Sequence, residues 1–482
     1  MLSFLRDERD STGRWSRREW LRIGGWSAAA PFLGRAISAA GSSPANAVPG
    51  FGKAKSVIVV FTSGGQSQID LWDPKPNAPA EVRGEFDAIR TSVPGTQLCE
   101  HLPRVAKLAD RYTIVRSMSH EDLDHGSAVY LSFTGQYHSR KSSNPPPRAT
   151  DHPSQSAVLK RVRPKSRFAD AAVHVNAPAI VAPNDIAPGQ FGGFLGRDYD
   201  ALTVGNVARG RVALPGLSPQ DDLTQVRLQR RRSLLQSIES HCRRFERDRK
   251  AGDLDTLYGR AFQMLSDPNT KDAFDLSKEP RPVRDRYGRD RSGQSCLLAR
   301  RLVEAGVPLV TVVWNHHSRG QDMHPDKSEF YGWDTHNDIF SALRERLLPR
   351  FDVSFSALLE DLEARGLLDS TLVVCMGEFG RAPLVALEKR FAGSTPGRKH
   401  WAACYSVVFA GAGVSRGKVL GGSDRLGAYP TGPSFGPWDI NATIFSALGI
   451  NPASHFQDTL DRPIAVSIGK PMTGLYGGKD ER

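Results

Sequence analysis

Imidazoles and carboxylates recur side by side along this sequence. They stand at His120-Glu121-Asp122 with Asp124 and His125, at Asn315-His316-His317, at Trp333-Asp334-Thr335-His336, at Gly377-Glu378-Phe379-Gly380-Arg381 and at Lys399-His400-Trp401. Nitrogen and oxygen ligands brought from separate loops are what a divalent metal ion requires. Asp334 and His336 alternate, so an extended loop would turn both side chains toward one ion. A lone histidine is most often a hydrogen-bonded surface or core residue, whereas several at one edge of a fold point to a shared polar site. Gly64-Gly65 would let backbone amides approach an oxyanion, or simply form a turn.

The elements that must position these residues are short apolar runs: Val57–Phe61, Tyr112–Val115, Leu309–Trp314, Leu372–Met376 and Tyr405–Ala410. Their apolarity is continuous, not alternating, which predicts strands covered on both faces. Amphipathic helices lie between them, as at Leu297–Ala305 and Phe355–Arg365, and Gly306 and Gly366 follow as left-handed C-terminal residues. This rhythm predicts an α/β fold, a doubly wound, mostly parallel sheet. In such sheets ligands bind beyond the carboxyl ends of the strands, and nearly every polar cluster above follows a predicted strand; Lys399-His400-Trp401 precedes one. Ser139–Pro153, rich in Ser, Pro and Arg, reads as a surface loop. The charged periodicity of residues 215–292 predicts a helical insertion, with Lys278–Ser292 as a Pro-containing connector.

The chain has 482 residues, 39% of them hydrophobic, which supports a large core and excludes wholesale disorder. The formal charge of +12 is spread over mixed-sign helical stretches such as Arg227–Arg249, so a solvated helix face is expected and nucleic acid is not. Five scattered cysteines form no C-x-x-C pair, which excludes a zinc ribbon. Near the N-terminus, Arg17-Arg18 precedes the mild apolar run Ile23–Leu33 and the small-residue sites Ser38-Ala39-Ala40 and Ala45-Asn46-Ala47. That order predicts a twin-arginine signal peptide over residues 1–47, read by the twin-arginine translocase and removed, with residues 48–482 exported already folded to the periplasm or beyond. The run is too short and too weakly apolar to anchor the mature chain in a membrane.

These residues resemble a known superfamily. Ala357–Val374 is similar to the helix and strand that precede the metal-binding Asp-His-Gly turn of sulfatases, and Asp439-Ile440-Asn441-Ala442-Thr443-Ile444 to their C-terminal helix. The Gly64-Gly65-Gln66-Ser67 turn, Asp73-Pro74-Lys75-Pro76, Trp333–His336, Gly377–Pro383 and His400-Trp401 more closely resemble the exported family called domain of unknown function 1501 (DUF1501), placed beside the sulfatases. The resemblance implies an alkaline-phosphatase-like domain. It also exposes departures. Thr62-Ser63 stands where sulfatases carry a metal-binding acidic pair, with Asp70 and Asp73 as displaced substitutes. Thr134-Gly135-Gln136-Tyr137 looks like the turn after the sulfatase nucleophile, yet no cysteine precedes it, and His125 or Ser127 falls near that position.

Two functional expectations follow. One is a metal-dependent hydrolase of a phosphate, sulfate or related ester: a divalent ion on Asp334, His336, Glu378 and His400, with His125 at the pocket wall as base or nucleophile, Ser127 as the weaker choice, and Arg381 clamping a small or polymeric anionic substrate. The other is a catalytically silent relative in the cell envelope that binds acidic or sulfated polymers.

Overall fold

The computed structural model describes residues 48–163, 168, 170–181, 184–208, 268–320 and 331–477. The expected signal segment 1–47 and residues 209–267, most of the expected insertion, lie outside the described residues. From Pro49 onward the chain forms one structural unit.

Its centre is an eight-stranded sheet. The strands are β1 (Ser56–Phe61), β2 (Tyr112–Met118), β3 (Ala172–Val175), β4 (Leu202–Val204), β5 (Leu309–Val313), β6 (Thr371–Met376), β7 (Tyr405–Ala410) and β8 (Lys418–Leu420). Across the sheet they run β8-β2-β7-β6-β1-β5-β3-β4. All are parallel except β7, which is antiparallel to both β6 and β2. β3, β4 and β8 were not legible in the sequence: with four, three and three residues they are too short for an apolar run to stand out.

Both faces of the sheet are covered, as continuous apolarity required. Ile58 and Val60 of β1 point into one core with Val310, Val312, Val373 and Cys375. The helices α3 (Arg291–Glu304) and α4 (Leu348–Ala364) close that face with Leu298, Leu302, Phe351, Phe355 and Leu358. Val57, Val59 and Phe61 point into the opposite core with Val374, Met376, Val407 and Phe409. There α1 (His125–Thr134), α2 (Gln155–Val162) and α5 (Pro437–Ala447) contribute Val129, Phe133, Leu159, Ile440 and Ile444. Each such side chain adds about 1.5–3 kcal/mol when fully buried, which makes the strand ends a rigid frame for their loops. The expected connector at Lys278–Ser292 instead holds a short helix, Arg281–Tyr287, started by Pro at its N-terminal end. The described cysteines Cys99, Cys296, Cys375 and Cys404 are all buried thiols. No helix among the described residues is long and apolar enough to cross a membrane.

One core histidine makes stability pH-dependent. His174 on β3 is buried, its Nε2 lies 2.8 Å from Ser156 Oγ, and burial, with Lys160 adding to it, lowers its pKa from 6.5 to about 4. Below pH 6.5 the unfolded chain takes up a proton that the folded chain refuses until about pH 4, so stability falls as pH drops through that window. We expect His174→Asn to remove on the order of 3 kcal/mol of that pH-dependence, read as the difference between wild-type and variant urea curves from pH 7 to 4. Parallel curves would exclude this role.

Candidate metal centre

The loops that leave β1, β2, β5 and β6 meet at one edge of the sheet, and they hold one another in place. Asn315, after β5, donates from Nδ2 to Ser63 O at 2.6 Å, tying two strand exits together. The β1 exit turns at Gly64 and Gly65, with φ of +114° and +75°. A side chain on Gly64 would collide with the backbone of Trp333 and Asp334, so this glycine is what lets the 333–336 loop lie against the turn. Gly64 N donates to Glu378 Oε1 at 2.7 Å, so that amide already has a partner and is not free for an oxyanion. Gly380-Arg381 pairs with His400-Trp401 as a short antiparallel ladder, which carries His400 to the same place. The reversed direction of β7 makes this possible: the segment that enters it lies at the edge where the parallel strands leave.

Three imidazoles converge on the carboxylate of Asp334. His336 Nε2 and His400 Nε2 lie 3.1 and 3.2 Å from Asp334 Oδ1, and 3.0 Å from each other. His125 Nε2 lies 3.2 Å from Asp334 Oδ2, yet is aligned for no hydrogen bond. The far ring nitrogen of each histidine faces an acceptor. His125 Nδ1 is 2.6 Å from Glu378 Oε1 and His400 Nδ1 is 2.6 Å from Leu123 O, while His336 Nδ1 lies 3.3 Å from Glu388 Oε2 without the alignment of a hydrogen bond. Leu123 O takes the proton of His400 Nδ1 and leaves its Nε2 as an acceptor, which His336 Nε2 faces at hydrogen-bond distance. Among the described residues, His125, Asp334 and His400 form a candidate metal-binding group.

The electrostatics agree with this arrangement. Burial raises the pKa of Asp334, but His125 and Arg381 beside it outweigh burial and hold it well below the usual carboxylate range. Burial lowers that of His125, but Asp334 and Glu378 outweigh it and bring the group up to about 9. His400 falls to about 3 through burial and the nearby His125 charge, and His336 is lowered chiefly by burial. Without an ion, His125 therefore carries the positive charge while His336 and His400 stay neutral, the form in which imidazole binds metal.

All the residues expected at the site except Ser127 meet there, but several roles change. Glu378 stands behind His125 as the carboxylate on its outer nitrogen, and His125, expected at the wall, lies at the centre. Arg381, expected to clamp substrate, is fully buried. Its guanidinium donates to Asp334 Oδ1 at 2.8 Å, to Gly65 O at 3.1 Å, to Arg398 O at 3.2 Å and to Gly64 O, so it positions Asp334 and the β1 turn. Ser127 Oγ donates to Asp122 Oδ1 at 2.6 Å and accepts from Ser143 N, tying two loops together. Asp70 and Asp73 do not replace the missing acidic pair: Asp70 is held by Arg398, and Asp73 by Lys75 and Arg116. His120 donates to Glu378 O, and His317 meets Asn184. Glu388 and the carbonyl of Leu123 were missed, since neither a surface-like charged run nor a backbone oxygen carries a sequence signal.

The family model described as "Protein of unknown function (DUF1501)" matches residues 54–475. No curated protein matches the chain. Among solved structures it is similar to the phosphonate monoester hydrolase SpPMH from Silicibacter pomeroyi, with 13% identity, TM-score 0.40, and coverage of 89% of this chain and 77% of that one. It is also similar to the PsFucS1 sulfatase from Pseudoalteromonas sp., at 15% identity, TM-score 0.36, and 84% and 68% coverage. A third is a protein in the alkaline phosphatase superfamily from Vibrio parahaemolyticus, at 9% identity, TM-score 0.38, and 84% and 68% coverage.

Proposed function

We propose that this chain, which belongs to the DUF1501 family through a match over residues 54–475, is an exported, divalent-metal-dependent hydrolase of a phosphate, sulfate or related ester. The observation that carries this reading is the convergence of imidazole nitrogens on Asp334 with each outer nitrogen facing an acceptor. Asp334, His125, His336 and His400 would hold the ion. Once bound, a divalent ion supplies Lewis-acid polarisation of an ester oxygen and stabilises developing negative charge. The chain's own residues do the rest. Arg381 and the Gly64 turn fix the Asp334 carboxylate, Glu378 orients His125, and Phe391 stacks on His336 at 3.8 Å. The side chain of His400 is 17% exposed while those of His125 and His336 are 3% and 4% exposed, so the open side of the site, where an ester would enter, is at His400. The test is elemental analysis of the purified protein followed by aryl phosphate, sulfate and phosphonate esters, with and without chelator. Metal-dependent cleavage supports the reading, and a metal-free protein inert to all three esters rejects it.

The Thr62-Ser63 exit, where sulfatases carry an acidic pair, favours a second reading: a silent envelope protein that binds acidic or sulfated polymers. Salt-sensitive binding to a sulfated polysaccharide by a metal-free protein would establish it. Either reading includes export to the periplasm or beyond. Its support is the order of Arg17-Arg18, apolar run and small-residue sites. Arg17→Lys with Arg18→Lys is expected to strand the precursor inside the cell, seen by fractionation; unchanged export would refute a twin-arginine route.

A further inference from the structure

We infer that the centre selects an imidazole-preferring transition ion of the Zn²⁺ class over Ca²⁺ and Mg²⁺, with His125, His336 and His400 as nitrogen ligands, Asp334 as the oxygen ligand, and Glu378 and Glu388 as orienting carboxylates. The inference rests on the reading that the site holds a divalent ion, and goes beyond it by fixing the ion's chemical class and each residue's part.

Three observations support it. First, the inward-facing atoms are three imidazole nitrogens and one carboxylate. Calcium and magnesium take oxygen ligands, whereas borderline transition ions take imidazole. Second, the contacts of 3.0, 3.1 and 3.2 Å among His336 Nε2, His400 Nε2 and Asp334 Oδ1 lie close to the edge of a tetrahedron with bonds of ~2.0–2.1 Å, an edge of ~3.3–3.4 Å, while His125 Nε2 meets the other oxygen, Oδ2, at 3.2 Å. Third, the outer nitrogens face Glu378, Glu388 and Leu123 O. The hydrogen bonds of His125 and His400 fix ring orientation and raise the basicity of a ligating histidine, and Glu388 adds a carboxylate beside His336 without a hydrogen bond. Of the carboxylates that would suit a harder cation, Asp70 is engaged by Arg398, Asp73 by Lys75 and Arg116, and Glu378 through Oε1 by His125 and Gly64, while Glu378 Oε2 has no hydrogen-bond partner.

The experiment is equilibrium dialysis of the untagged protein against Zn²⁺, Co²⁺, Mg²⁺ and Ca²⁺ separately, with visible spectroscopy of the Co²⁺ form. Zn²⁺ is expected to bind at least ~100-fold more tightly than Ca²⁺ or Mg²⁺, and Co²⁺ to show the intense visible bands of a four-coordinate site. Glu378→Gln should weaken Zn²⁺ by ~10–100-fold without changing the Co²⁺ band pattern, as an orienting residue would. His336→Ala should change the pattern. A preference for Ca²⁺ or Mg²⁺ overturns the inference while leaving a divalent-metal hydrolase intact. An unaltered Co²⁺ spectrum in His336→Ala overturns its place in the ligand set. Binding of no ion overturns both the inference and the reading beneath it.

Discussion

Asp334→Asn is expected to abolish stoichiometric metal binding and to lower ester cleavage by about a thousandfold or more, since several kcal/mol of charge stabilisation would go with the ion. Asp334 is the carboxylate on which all three histidines converge. The amide keeps the shape but removes the charge, and with it one of the two carboxylates that raise the pKa of His125. The fold should survive, because Arg381 keeps its bonds to Gly64 O, Gly65 O and Arg398 O. Elemental analysis, an ester assay and a thermal melt on one preparation test this together. A variant that retains its full metal complement would show that the ion, if any, is held elsewhere.

Arg398→Met should be the most destabilising change near the site, at about 3–5 kcal/mol. Arg398 and Asp70 are both essentially unexposed and meet as a two-pronged pair, Nε to Oδ2 at 2.7 Å and Nη2 to Oδ1 at 3.0 Å. The same guanidinium donates to Val82 O at 2.9 Å and to Pro383 O. Truncation strands the Asp70 charge in the core, and Arg398→Lys cannot restore the fork. Because His400 lies two residues on, the site loop should loosen as well. Urea unfolding at pH 7 gives the cost, and Asp70→Asn in the Arg398→Met background should recover part of it by removing the stranded charge. A single-variant cost below about 1 kcal/mol would mean that the pair is not closed off from water.

Much of the site's composition was legible because its residues sit in segments that connect strands that announce themselves. Val57–Phe61 and Leu372–Met376 are apolar at every position, and a run of that kind must be covered on both faces wherever it lies. His125 opens the helix after one such run, Glu378 and Arg381 follow another, His400 precedes a third, and Asp334 and His336 come in the long connection after Leu309–Val313; the structure places all of them at one sheet edge.

Which atom faces which was not legible. His125 and Glu378 are 253 residues apart, and nothing local to either says that one carboxylate oxygen will meet Nδ1 and leave Nε2 to Asp334. The exchange of roles between them, the turning of Arg381 inward, and the engagement of Asp70 by Arg398 follow from the packing of loops across parallel strands. The same holds for the reversed direction of β7, which brings His400 to the site. The sequence by itself determined the doubly wound sheet and the group of side chains at its edge, because apolar runs and loop positions are local properties. Only the tertiary structure divided that group into atoms that face the centre and atoms that orient them, because that division depends on contacts a few ångströms long between residues far apart in the chain.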